Sequence, residues 1–204
     1  MFVLKTMKRA LIILIVIIFS NCFNKGDEVK NSKYEILFLK GEIKIPNNYK
    51  LISLDDYEKI ILEKYTDTLF LKSKRLAINA IKENFSEYAF FYDEKDFENT
   101  LIIYPSPNQN VNKYVKDDLI NFMTELMKFQ NSNNNFSYES VENKMIGSKI
   151  IKVKGRLVNS EFSENNIYST QYIFEGNGKV FMAYVMHKNR TIDFEKEITE
   201  IKYD

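Results

Sequence analysis

Apolar residues recur at strand and helix spacings along most of the chain. Residues 34–45 are rich in β-formers and end at Pro46, so they predict a first strand or a hairpin. Ser53 has the character of a helix N-cap, because acidic residues fill the next turn. One face of that helix would carry Leu54, Tyr57, Ile61 and Tyr65. A second helix is indicated around residues 76–81.

The middle of the chain contains two strands that are apolar on both faces, Tyr88–Tyr92 and Thr100–Tyr104. Strands of this kind are covered on both sides. A polar turn over residues 93–99 joins them. A long amphipathic helix is predicted next, because apolar residues recur at steps of four and three. They are Val111, Val115, Leu119, Phe122, Leu126 and Phe129.

The last third of the chain is mostly strand. Its alternation predicts four strands, at Phe136–Asn143, Lys149–Val158, Ile167–Glu175 and Lys179–Met186. The Asn177-Gly178 pair between the last two strands tolerates positive φ, which indicates a hairpin. A final helix begins near Ile192 and places Phe194, Ile198 and Ile201 on one side.

This order of elements predicts an α+β fold, an αβα sandwich with a central, mainly antiparallel sheet, in a single domain over residues 34–204. The opening strand closes at Ile43-Lys44-Ile45-Pro46, and the end is built from Tyr172-Ile173-Phe174, Gly178-Lys179-Val180-Phe181 and a helix through Phe194. That arrangement resembles the Mog1/PsbP-like fold. The resemblance implies a non-enzymatic accessory or binding module, and it transfers no motif of functional residues.

Residues 1–21 have the order of a secretory signal peptide. Basic residues at positions 5–9 precede an apolar run over 10–19, and two small polar residues follow. The run is too short for a membrane span, which needs roughly 20 apolar residues. Translation can begin at Met1 or at Met7, and the sequence leaves that choice open.

Cys22 is the one cysteine of the chain and directly follows this signal. Phe19-Ser20-Asn21-Cys22 resembles the lipobox of bacterial lipoproteins, which implies cleavage before Cys22 and a diacylglyceryl group on its sulfur. Residues 22–33 would then be a lipidated N-terminus and tether. The alternative is a core thiol, which would require the signal to be retained. We therefore expect a lipid anchor in a membrane of the bacterial cell envelope, with the domain periplasmic or surface-exposed.

Composition excludes several classes of function. Removing residues 1–21 leaves 26 basic against 28 acidic residues, whereas nucleic-acid binding usually shows a strongly basic domain. There is no Gly-rich phosphate loop. His187 is the only histidine, so a His-rich metal site is impossible and we expect neither a metal nor a cofactor. A single cysteine also rules out an internal disulfide.

Three cations, Lys152, Lys154 and Arg156, alternate along one predicted strand. We expect them to form a basic ridge that faces solvent. Such a ridge could meet an anionic lipid headgroup, a polysaccharide or an acidic protein. The simpler interpretation is that exposed lysines guard a strand against edge pairing.

The acidic pairs have ordinary explanations. General acid/base catalysis on sugars needs two carboxyl groups about 5 to 10 Å apart across a cleft. The first turn of a helix favours acidic residues, which explains Asp55-Asp56 and Asp117-Asp118. The tip of the predicted hairpin carries Asp93-Glu94 and Asp96, which could bind a cation weakly. Tyr168, Tyr172 and Phe174 share one strand face, which either lines a ligand groove or is buried under a helix.

The leading expectation is a membrane-anchored binding or accessory module with an unidentified protein partner in the envelope. One alternative is a hydrolase whose carboxylates meet only in three dimensions. Another is an immunity-type lipoprotein that neutralises a toxin.

Overall fold

In the part of the chain that the structure describes, ten strands form two sheets. The computed structural model describes residues 30–106, 111–112, 116–132, 136–159 and 167–204. The predicted signal peptide, Cys22 and most of the predicted tether lie outside the described residues. The smaller sheet contains β1 (Asn31–Ile36), β2 (Gly41–Pro46) and β10 (Lys202–Tyr203) in the order β1-β2-β10. A 3-10 turn, Leu37–Leu39, joins β1 to β2, which confirms the hairpin form of the first prediction.

The larger sheet has seven strands, and each neighbouring pair is antiparallel. The strands are β3 (Tyr49–Ile52), β4 (Ala89–Asp93), β5 (Thr100–Pro105), β6 (Phe136–Ile146), β7 (Ile150–Asn159), β8 (Ile167–Gly176) and β9 (Lys179–His187). Their order in the sheet is β3-β4-β5-β9-β8-β7-β6. At the β8–β9 turn, Asn177 has φ 50° and Gly178 has φ 70°, as the Asn-Gly pair predicted.

The described helices are α1 (Leu54–Lys64), α2 (Thr68–Asn84), α3 (Lys116–Ser132) and α4 (Glu195–Thr199). Ser53 caps α1, because its hydroxyl accepts a hydrogen bond of 3.1 Å from the backbone N–H of Asp56. No helix in the described part of the chain has both the length and the hydropathy needed to cross a bilayer.

The seven-stranded sheet is covered on both faces. On one face, α1 and α2 bury Leu54, Tyr57 and Ile61 against β4 and β5, and α3 buries Met123 against β7 and β8. The other face packs against the small sheet and α4 through the largest apolar cluster. The α+β fold with a central antiparallel sheet is therefore confirmed, and most of its second covering layer is a small sheet.

The long amphipathic helix differs from its prediction in start and phase. Helix α3 begins at Lys116, and Val111 is buried outside it. Met123 is the buried residue of the second turn, whereas Phe122 is 61% exposed. Apolar residues spaced four and three apart can define either of two adjacent faces of α3. The sheet contacts the face that carries Leu119, Ile120 and Met123.

Candidate functional site

Two of the three predicted ridge cations are buried. Lys152 is 2% exposed and Lys154 is 5% exposed, while the side chain of Arg156 is 38% exposed and pairs with Glu139. The alternation correctly places all three on one face of β7. The expectation that this face meets solvent is wrong for Lys152 and Lys154, because the chain after β9 crosses over it. An external anionic partner for this strand stays a prediction.

Lys152 lies at the centre of a cluster of carboxylates. Its Nζ is 2.6 Å from Asp193 Oδ2, 2.9 Å from Glu195 Oε2 and 2.8 Å from Glu142 Oε2. An ammonium group has three hydrogens to donate, so one proton is available for each carboxylate. A charge buried this deeply needs such complete pairing, since an unpaired one would cost several kcal/mol.

Lys144 links two of the same carboxylates from the outside. Its Nζ is 2.9 Å from Glu142 Oε1 and 2.8 Å from Glu195 Oε2. Its side chain is 38% exposed, so this part of the cluster is in contact with solvent. We call the five residues the ion cluster; they are Glu142, Lys144, Lys152, Asp193 and Glu195.

A β-bulge in β6 sets the side-chain direction of two members of the ion cluster. The register between β6 and β7 shifts between Ser140 and Glu142. Before the shift Ser140 lies opposite Gly155, and after it Glu142 lies opposite Lys154. One extra residue reverses the side-chain alternation of a strand. The bulge therefore turns Glu142 and Lys144 onto the face that carries Lys152.

The chain between β9 and α4, residues 188–194, is held over the sheet by buried donors; we call it the return loop. Lys154 Nζ donates to the carbonyl oxygens of Arg190 at 2.9 Å and Ile192 at 3.2 Å. Lys154 also lies 3.5 Å from Asp193 Oδ2. The two buried lysines thus bind the return loop from inside the protein, and the return loop covers this face of β7.

Tyr172 completes the contacts of Asp193. Its hydroxyl donates to Asp193 Oδ1 at 2.5 Å, and the ring is fully buried. Tyr168, Tyr172 and Phe174 are all buried on one face of β8. Burial, rather than an open ligand groove, accounts for this aromatic stripe.

The charges of the cluster are fixed at neutral pH. Burial alone would lower the pKa of Lys152, but hydrogen bonds from its ammonium to Asp193, Glu142 and Glu195 outweigh burial and raise that pKa above its usual range. Burial would likewise raise the pKa of Asp193, yet the hydrogen bonds from Lys152 and Tyr172 lower it to about 2. The pKa values of Glu142 and Glu195 are also lowered, by hydrogen bonds from the two lysines.

Glu142, Asp193 and Glu195 are the three described side chains whose oxygens converge closely enough to hold a metal ion, all within 4.8 Å of one another. Lys152 already stands among those oxygens. Its ammonium meets each of them within 2.9 Å, and Lys144 and Lys154 supply the two further cations that match the three carboxylates in charge. A divalent ion would have to displace a buried, fully hydrogen-bonded cation, so the donor set fits an internal ammonium better than a metal.

His187 has a structural position next to the cluster. It is 1% exposed and stacks on Tyr168 with ring centroids 5.8 Å apart. Its Nδ1 lies 2.5 Å from the carbonyl oxygen of Asn189 and must carry the hydrogen, since a carbonyl only accepts. Its Nε2 is buried without a partner among the described residues. Burial lowers the pKa of His187 to about 4.

The acidic pairs singled out from the sequence remain separate. Asp55 and Asp56 begin α1 and pair with Lys82 and Lys59. Asp117 and Asp118 are exposed in the first turn of α3.

The hairpin-tip acids also have internal partners. Asp93 is buried, and its Oδ1 accepts a hydrogen bond from the backbone N–H of Lys95 at 2.9 Å. Asp96 pairs with Lys188 at 3.8 Å.

Sequence reasoning missed Glu142, Asp193 and Glu195. Asp193 lies 41 positions from Lys152 along the chain, and no local pattern joins the two. The one available signal was the pair of alternating lysines itself, because a buried lysine requires acidic partners elsewhere.

No family model matches this chain, and no curated protein matches its sequence. The solution structure of the cyanobacterial PsbP, CyanoP, from Synechocystis sp. PCC 6803 is similar with a TM-score of 0.53 and 9% identity, covering 89% of this chain and 96% of CyanoP. This likeness shows a PsbP-like fold and agrees with the resemblance inferred from element order.

Proposed function

We propose that this chain is a lipid-anchored protein of the bacterial envelope that acts as a non-enzymatic binding or accessory module. Two independent features support the proposal. The signal order that ends at Cys22 supports the anchor. The PsbP-like fold, which is all that this chain is shown to share with CyanoP, fits an accessory module.

The observation that carries the non-enzymatic part is the state of the ion cluster. A hydrolase of the two-carboxylate kind needs one carboxyl group with a raised pKa that can donate a proton. All three carboxylates of the cluster have lowered pKa values and are engaged by lysines. Their arrangement stabilises the fold and leaves none of them as a general acid.

Glu197 is the carboxyl group that the hydrolase alternative could use. Burial raises its pKa, and its Oε2 is buried without a hydrogen-bond partner among the described residues. Its natural counterpart would be Asp193, whose charge contributes to the raised pKa. Asp193 is already held by Lys152 and Tyr172, however, so it is poorly placed to activate water. We therefore favour the binding module.

Lipidation at Cys22 is tested by fatty-acid labelling of the full chain in a bacterial host, followed by membrane fractionation. Cys22→Ala should abolish labelling and move the protein out of the membrane fraction. Ser20→Ala is the matched control and should retain the label, because alanine is also small. Equal labelling of Cys22→Ala and the parent chain would contradict the anchor. Crosslinking in intact cells with the labelled protein would then identify the envelope partner.

A further inference from the structure

A small pocket lies between the 3-10 turn of the β1–β2 hairpin and the β8–β9 turn. Its volume is about 250 Å³. Its lining combines apolar and charged side chains, namely Phe38, Leu39, Lys40, Asn177, Lys179, Phe181 and Asp204. We call it the turn–hairpin pocket. It belongs neither to the ion cluster nor to the predicted anchor.

The apolar part of the lining is fixed by the core. Leu39 is fully buried and Phe181 is 1% exposed. Phe38 packs on Phe181 with ring centroids 6.2 Å apart, and Phe181 packs on Phe174 at 5.7 Å. Phe38 is half-buried, so its ring is the apolar surface that a ligand can touch, and the buried rings behind it hold it in place.

The charged part of the lining contains two free ammonium groups. Lys40 and Lys179 are exposed. Lys149 at the nearby start of β7, by contrast, pairs with Glu175 at 3.0 Å. Within the described residues, no carboxylate lies within 4.0 Å of either Lys40 or Lys179, including that of Asp204. Both groups can therefore donate to a ligand.

Lys40 occupies a backbone position that disfavours lysine. Its φ is 48° and its ψ is 56°, in the left-handed region that glycine and asparagine adopt more readily. Two donors hold its carbonyl oxygen, since Asn177 Nδ2 and the backbone N–H of Asp204 each lie 3.0 Å away. A residue held in a sparsely populated backbone region is a pointer to function. Here that residue lines a pocket.

We propose that the turn–hairpin pocket binds an amphiphilic anion. An anionic oxygen group would accept hydrogen bonds from Lys40 and Lys179, and an attached apolar group would lie on the half-buried ring of Phe38. Two sources supply that chemistry, a free aromatic phosphate or carboxylate and the headgroup region of an anionic phospholipid. The site goes beyond the proposed function, because it requires no lipid on Cys22.

The test is an NMR titration of the purified full chain with two probes. Phenyl phosphate represents the free molecule, and dihexanoylphosphatidylglycerol, used below its micelle concentration, represents the lipid headgroup. Inorganic phosphate is the control without an apolar group. The variant pair Lys40→Gln with Lys179→Gln removes both cations, and Lys72→Gln with Lys196→Gln removes the same charge from exposed positions on α2 and α4.

Saturable shifts of pocket signals with phenyl phosphate would support a free ligand, and saturable shifts with the lipid probe alone would support a headgroup. In either case the Lys40/Lys179 variant should bind about tenfold more weakly or worse, because two charge-assisted hydrogen bonds are lost. The Lys72/Lys196 variant should bind normally. The proposal is overturned if neither probe binds, if both variants lose affinity equally, or if inorganic phosphate binds as tightly as the better probe.

Discussion

Lys152 Nζ and Asp193 Oδ2 form an ion pair of 2.6 Å across a face of β7 that the return loop shields from solvent. Lys152→Met should lower the free energy of unfolding by about 1.5 to 3 kcal/mol, because it removes a buried cation that is hydrogen-bonded to three carboxylates, and the carboxylates left behind are 29 to 37% exposed. Urea unfolding at neutral pH measures this difference.

Lys144→Met is the matched control for that substitution, since Lys144 contacts two of the same carboxylates from a half-exposed position. Its cost should stay within about 1 kcal/mol. Similar small losses for both variants would contradict the central position of Lys152 in the cluster.

The hydroxyl of Tyr172 should contribute about 1.5 to 3 kcal/mol to the free energy of unfolding, because it donates to an ionised and partly buried carboxylate. Tyr172→Phe removes the hydroxyl and keeps the ring. Tyr203→Phe is the control, since Tyr203 is 36% exposed and its hydroxyl has no hydrogen-bond partner among the described residues to lose. Thermal unfolding should separate the two variants clearly, and equal melting temperatures would argue against the Tyr172–Asp193 bond.

Local signals predicted the parts of the fold that depend on neighbouring residues. Ser53 marked the start of α1, and Asn177-Gly178 marked the β8–β9 turn. The alternation of Lys152 and Lys154 also predicted correctly that they share a face. Which layer covers that face depends on the return loop, more than thirty positions further along the chain, and no spacing within β7 reports it.

The ion cluster could not be predicted because its members meet through long-range pairing and one irregularity. Strict alternation along β6 would place Glu142 on the same side as Tyr138, which packs toward α3. The bulge after Ser140 reverses that side. Asp193 and Glu195 arrive from beyond β9, so the cluster exists only once the sheet and its covering layer are assembled.

The free energy of unfolding should fall as the pH drops from about 6.5 to 4. Burial lowers the pKa of His187 from 6.5 to about 4, so in this range the unfolded chain binds a proton that the folded protein does not. The full loss is about 3 kcal/mol. His187 is the only histidine, so His187→Gln should remove most of this dependence while its amide can still donate to Asn189, and the lowered pKa values of Glu142 and Glu195 should leave a smaller loss near pH 4. Urea unfolding at several pH values measures it, and an unchanged slope in the variant would assign the effect to other groups.

Gly155 gives Tyr138 room to lie across β7. A Cβ at position 155 would stand 1.7 Å from Tyr138 Cε2, so the ring would have to move. Gly155→Ala should therefore cost about 1 to 3 kcal/mol through overpacking. In a Tyr138→Ala background the same methyl group meets no ring, and most of that cost should disappear. A double-mutant cycle by urea unfolding measures the coupling. Additive losses would contradict the ring as the source of the cost, because alanine fits a strand better than glycine does when nothing stands in its way.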